Sequence, residues 1–451
     1  LWGAILNWGE VPPFHDWAEI NLARLAFLQD AVRSGQLPLH MADASALRML
    51  TDRFMALPDV ILSPDLLLLA FLSLEQYILV HWLLCYTLGF LALVWLRVRH
   101  AVSLPLLVGV FLLFNFNGHI VGHLTVGHYT WGGYFLLPWL VLLCLELRTT
   151  QRRWLWIAAV ALLMLGIWLQ GSFHQFVIGL IFLVLFSLAS IRRAGSGLVA
   201  AGFSLLLALP RILPATLILG GSDTESLGGY QLIRYFKDSA VVPRPAAEWL
   251  PYANYYSPLG WWEFNLYLGW AGVILLGLLG LGWLLAQVRA RRLSPLWLPL
   301  VIMFFLSIRN HYDVYLGWVP LFAGLRVSTR IIILPMLAVI FAGAGAWGGW
   351  LPGLPRRWRL AANIAVWALV GWQAYDLLPW ALRWGVDAMA GVFPLAAVDL
   401  TSKVIANHPD PLYTQTLTAG VAGALLSLLF LGWMVVRERR QLKWDANKDP
   451  S

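Results

Sequence analysis

Charge is what this chain has least of. Asp, Glu, Lys and Arg together make up 12% of its 451 residues, where a soluble domain carries roughly 25%. That deficit excludes a water-soluble protein of any fold. Cysteine is nearly absent too: Cys85 and Cys144 are the whole complement, and both lie in apolar runs. They make no disulfide framework or metal site and read as small buried hydrophobes. P-loop, GxSxG, HExxH and CxxC patterns are all missing, so nothing points to a nucleotide cradle, a hydrolase elbow or a zinc protease. There is no low-complexity tract, no soluble domain and no repeat between halves. The last of these weighs against a solute or lipid transporter.

What is present is apolar surface, 60% of the residues. It falls in runs that predict membrane spans near 66–96, 104–116, 131–147, 154–169, 173–191, 198–219, 266–285, 296–308, 331–350, 360–380 and 417–436. Lipid cannot satisfy exposed backbone groups, so each span is expected to be helical. Pro210 and Pro214 predict a kink in the sixth. Residues 1–8 are apolar but too short to cross, and read as the tail of a helix that starts upstream. The expectation is an all-α polytopic protein of eleven spans, or twelve with that helix. It forms one integral membrane domain over 1–451.

The net charge is +8, which in a soluble protein would raise nucleic acid as a partner. Here the basic residues cluster at 97–99, 148–153, 192–193, 289–292, 356–359 and 437–448, on alternate loops. They hold more than half of the 31 Lys and Arg. The positive-inside rule explains them and places those loops and the tail 437–451 in the cytoplasm. The first loop (9–65), the histidine-rich stretch after Phe116 and the loop 220–265 then face outward. Eight of the 23 acids fall between Glu10 and Asp65.

Four outward groups suggest chemistry. His15, Asp16 and Glu19 fall within one turn of a predicted amphipathic helix that ends at Gly35. Its apolar stripe is Trp17, Ile20, Leu25, Leu28 and Val32. A carboxylate there suits a general base or an oxygen ligand for a divalent metal such as Mg or Mn. Asp16 with Glu19 also matches a helix capping box. His119, His123 and His128 stand among glycines between two spans. His119 and His123, four apart, could place two imidazoles on one metal ion, but the spacing specifies no third ligand; phosphate or hydroxyl recognition suits the three better, and a water-facing interfacial loop is the alternative. Arg326 and Arg330 sit on the outer side against the positive-inside bias. They suit bidentate phosphate binding, or simple snorkelling. Arg211 is a charge inside a span, a functional suspect whose expected partner is an outer acid such as Asp16 or Asp223. The fourth group is the polar and aromatic loop 220–263. It suits a sugar face or a membrane surface equally.

The stretch FHDWAEINLARLAFLQDAVRSGQLPL resembles the first outer loop of GT-C-type glycosyltransferases. Asn117-Gly118-His119 with Gly127-His128, then Leu137-Pro138-Trp139, and Leu325 to Arg330 are similar to stretches of bacterial members. This resemblance implies an inner-membrane enzyme that moves a sugar from a polyprenyl-phosphate carrier to an acceptor. Asp16 would be the catalytic acid, helped by Glu19. Arg326 or Arg330 would bind the carrier phosphate. From the residues themselves, apart from the resemblance, His119, His123, His128 and Arg211 are the further candidates for binding substrate. The second acid that many members carry in the next outer loop is replaced here by histidines. That departure keeps a different class in view: a non-catalytic subunit of a larger membrane assembly, with other membrane subunits as partners.

Overall fold

Each predicted apolar segment forms a helix in the computed structural model, which describes residues 3, 16–44, 51–147, 150–190, 193–218, 228–230, 233–244, 260–319, 322, 324–389 and 399–448. Among them are fifteen α-helices and no sheet, only isolated backbone bridges. The segment before the first long apolar helix holds α1 (Leu22–Ser34). Then follow α2 (Leu74–His100), α3 (Leu104–Asn115), α4 (Gly118–Thr125), α5 (Leu137–Glu146), α6 (Arg153–Leu169), α7 (Phe173–Ala189) and α8 (Ala194–Thr216). The second half runs through α9 (Ile233–Val241), α10 (Gly269–Ala290), α11 (Trp297–Leu306), α12 (Arg309–Tyr315), α13 (Ile333–Trp350), α14 (Arg356–Met389) and α15 (Pro411–Lys448). Six stretches are long and apolar enough to cross a membrane: 74–100, 104–125, 194–216, 269–290, 328–353 and 411–442. α6, α7 and α11 are apolar but shorter.

Two groups of helices share one core. α13 packs against α10, α5, α2, α3 and α11, and α8 packs against α15, α6 and α7. The helix α8 runs through both of its prolines without interruption. At the α8–α15 crossing a β-carbon on Gly420 would lie 2.6 Å from the Leu209 carbonyl, so a small residue sets that approach. The outer faces of α2 and α15 leave Leu84, Leu88, Trp95, Leu426, Leu429 and Trp433 exposed. Exposed apolar rows on long helices are what a lipid-facing surface requires. Cys85 and Cys144 are buried and unpaired, as their apolar setting predicts.

Basic and acidic loops separate to opposite ends. At one end Arg99 pairs with Glu146 (3.5 Å), Glu438 accepts from the backbone of Trp154 (2.9 Å) and Leu155 (3.1 Å), and Arg289 lies over Trp350. At the other, α1 packs on the 3₁₀ turn Pro64–Ala70, and residues 40–42 and 52–55 join 404–413 by backbone and side-chain bonds.

The helix of the first loop differs from its expected form. It opens with a π-helical turn, Trp17–Asn21, which shifts the register. The buried face is Trp17, Ala18, Asn21, Ala23, Leu25, Phe27, Leu28 and Ala31, while Ile20 and Val32 are only half-buried. Asp16 has α-helical backbone angles and makes no capping bond, so the capping-box reading fails. His15, the side chain of Glu19, Asp223 and most of the loop 220–259 lie outside the described residues.

Candidate functional site

The site is built on α4. Asn117 breaks the helix after α3 and restarts it: its side-chain oxygen accepts from the Ile120 backbone (3.1 Å), and its amide donates to the Leu113 carbonyl (2.7 Å). That is ordinary N-cap chemistry. Four residues apart on the restarted helix, His119 and His123 share a face, with ring centroids 4.7 Å apart. Both are buried. The reading of these histidines as a water-facing loop is therefore overturned. They continue a span and turn inward.

After α4 the chain turns at Gly127, whose φ is +92°. The turn brings His128 back, so that its Nδ1 lies 2.6 Å from Nδ1 of His123. Trp131 stacks on His123 at 3.7 Å and meets His119 edge-on at 4.8 Å. The same glycine admits the segment that carries Asp16 and Trp17. A β-carbon there would sit 2.4 Å from the Trp17 backbone nitrogen. Trp17 Nε1 donates to the Thr125 carbonyl (3.2 Å), and the Asn21 amide donates to the Gly127 carbonyl. Held this way, the Asp16 carboxylate lies 3.5 Å from Nε2 of His128.

From the far side comes Arg330, at the entrance to α13. It is 7% exposed and forms a two-pronged pair with Glu263, 4% exposed. Nε donates to Oε2 (2.8 Å) and a terminal nitrogen to Oε1 (2.5 Å). Thr329 Oγ1 fixes the acid's backbone through its carbonyl (2.5 Å). The guanidinium also lies 5.5 Å from the centre of the Trp131 ring. Ligand atoms of His123, His128 and Glu263 all lie within 4.8 Å of one another. A continuous polar path thus runs from Asp16 through His128 and His123 to Glu263 and Arg330. Arg326 is exposed at the rim with φ +53°. Partial desolvation and then the Arg330 charge pull its guanidinium below the ordinary range.

Glu263, Trp131 and His174, which lies 6.1 Å from Trp131, were not singled out by the sequence. The available signal was Glu263 itself, an acid beside two tryptophans at the mouth of a span. Arg211 belongs to a different cluster. Its guanidinium donates to the Asp59 carbonyl (3.1 Å), while the Asp59 carboxylate pairs with Arg24 (2.9 Å). Asp59, not the expected Asp16, stands beside Arg211 among the described residues; Asp223, the other expected partner, lies outside them.

Family models, curated proteins and solved structures were compared with this chain, and none matches.

Chemically, the cluster offers a carboxylate backed by an imidazole at one side and guanidinium groups at the other. That is a base for a hydroxyl proton and a cation for a leaving anion. The described donors beside Asp16 are imidazole nitrogens, and Glu263 is bound to Arg330; the Glu19 side chain, the other carboxylate expected to hold a magnesium or manganese ion there, lies outside the described residues.

Proposed function

We propose that this chain is a GT-C-type membrane glycosyltransferase that transfers a sugar from a polyprenyl-phosphate carrier to an acceptor at the outward face. The reading takes all eleven apolar segments as spans and the basic loops as cytoplasmic. The observation that carries it is the meeting of Asp16 and Arg330, 314 residues apart in the chain, in one polar path at the acidic end. In the reaction the acceptor oxygen bonds to the anomeric carbon as the carbon–oxygen bond to the carrier phosphate breaks. The hydroxyl proton passes to Asp16, with His128 beside it, and the phosphate leaves with the bonding pair toward Arg326. Arg330, paired with Glu263, fixes the wall of the path behind it. An apolar groove of about 370 Å³, lined by Phe236, Phe304, Ile332, Pro335 and Met336, starts two residues from Arg330 and suits the carrier's hydrocarbon.

The other reading, a subunit that kept the scaffold and lost the chemistry, draws on the mutual neutralisation of Glu263 and Arg330. A sugar-transfer assay in reconstituted vesicles with extracted carrier lipid separates the two. Asp16→Asn is expected to lower transfer by about 10²–10⁴-fold, the usual worth of a general base. Undiminished transfer would remove Asp16 from the mechanism, and no transfer by either folded form would favour the subunit.

A further inference from the structure

A second group of polar side chains lies away from the Asp16–Arg330 path, where the first outer loop meets the segment before α15. His40 is 1% exposed, and neither of its ring nitrogens has a hydrogen-bond partner. Its ring faces that of His408 at 4.0 Å between centroids. Nε2 of His408 lies 2.6 Å from Oδ2 of Asp52. Ligand atoms of the three residues are within 4.8 Å of one another. A buried imidazole with nothing to bond costs free energy, so its place here asks for an explanation.

The backbone around the group is fixed. The His40 amide donates to Asn407 Oδ1 (3.0 Å), the His40 carbonyl accepts from Ala406 (3.0 Å), and the Met41 amide donates to the Asp52 carbonyl (3.1 Å). Asp410 stands 3.6 Å from His40 Nε2 and is held by Arg53 Nε at 2.6 Å. A carboxylate behind an imidazole is the usual outer shell that orients a metal-binding histidine. The buried His40 is held in place, while Asp52 and His408, 51% exposed at its side chain, are free to close on an ion.

We propose that His40, Asp52 and His408 form a divalent-cation site of the zinc class that clips the first outer loop to the segment leading into α15. Two imidazoles and one carboxylate suit zinc and its nitrogen-binding neighbours better than magnesium or calcium. The ion gives His40 its missing partner and takes the place of the proton between His408 and Asp52. A fourth position is left for water. The ion acts as a tie: His40 and Asp52 come from one end of the chain and His408 from the other, and one ion joins them.

The test uses the full-length chain in detergent, stripped with chelator and titrated with Zn²⁺, or with Co²⁺ as a spectroscopic probe. About one equivalent is expected to bind with the absorption of a low-symmetry nitrogen and oxygen site, and to raise the melting temperature by mass action. His408→Gln and Asp52→Asn alter exposed groups and leave the core packed. Both are expected to lose the bound ion and the melting shift, and His123→Gln to keep them. Equal binding by wild type and His408→Gln would overturn the proposal. So would loss of the ion in His123→Gln alone, which would place it in the Asp16 cluster.

Discussion

Gly127 is where the first loop comes near enough for Asp16 to reach His128. Its φ of +92° disfavours any L side chain, and the 2.4 Å approach of Trp17 leaves no room for a methyl group. Gly127→Ala is expected to cost about 1–3 kcal/mol of local strain and to push the segment carrying Asp16 away. Transfer should then fall along with the melting temperature, and normal transfer would detach this turn from function. A second prediction concerns Glu263. With the acid removed, Arg330 is a buried cation with no counter-charge, so Glu263→Gln is expected to destabilise by about 3–5 kcal/mol. The double variant Glu263→Leu with Arg330→Met should recover much of that loss, because two apolar groups need no pairing. Melting curves of the two variants decide it, and a double variant less stable than the single would show that the pair holds the fold by more than charge balance. Nothing in a local window could have found this pair, since its members stand 67 residues apart.

Among elements, the 3₁₀ turn Pro64–Ala70 ties the first loop to α2. Asp65 accepts from Ser63, from Tyr77 (3.2 Å) and from His81, and Gln170 reaches Ser63 from the α6–α7 junction (2.9 Å). Burial alone would raise the Asp65 carboxyl. Its hydrogen bonds to His81 and Ser63 outweigh that and hold it at about 2. A carboxylate held below its unfolded value of roughly 3.9 stabilises the fold above that pH, and the contribution fades as pH falls from near 4 through 2. It amounts to about 2 kcal/mol. Wild type is therefore expected to lose melting temperature more steeply across that window than Asp65→Asn, and parallel curves would refute the linkage. The apolar runs of α2, α8, α10, α13 and α15 were legible because each carries its own signal of length and hydrophobicity. α4 was not: its glycines and histidines read as a loop until Trp131 and Glu263, from other segments, supply the surroundings that bury them. The π-turn at Trp17–Asn21 likewise moved the buried face from Ile20 and Val32 to Ala23 and Phe27 by changing the local period.

For the whole molecule, the ion pairs and caps of the basic loops lie at one end, and the Asp16, His40 and Glu263 clusters at the other. That polarity follows from alternate loops sharing a side once the helices pack antiparallel. Which end meets the cytoplasm is an energetic matter outside the fold. On the proposed reading it is the basic end, because Lys and Arg resist translocation. The two native cysteines are buried, so reporter thiols can be read against a low background. Gln36 stands exposed in the first outer loop, and Leu293 is exposed between α10 and α11 at the basic end. In sealed right-side-out vesicles a membrane-impermeant maleimide is expected to label Gln36→Cys directly and Leu293→Cys only after permeabilisation. The opposite pattern would turn the acidic end toward the cytoplasm. Asp16 and Arg326 would then face a compartment where nucleotide-linked sugars, not lipid-linked ones, are the available donors, and the glycosyl-transfer reading would lose its substrate.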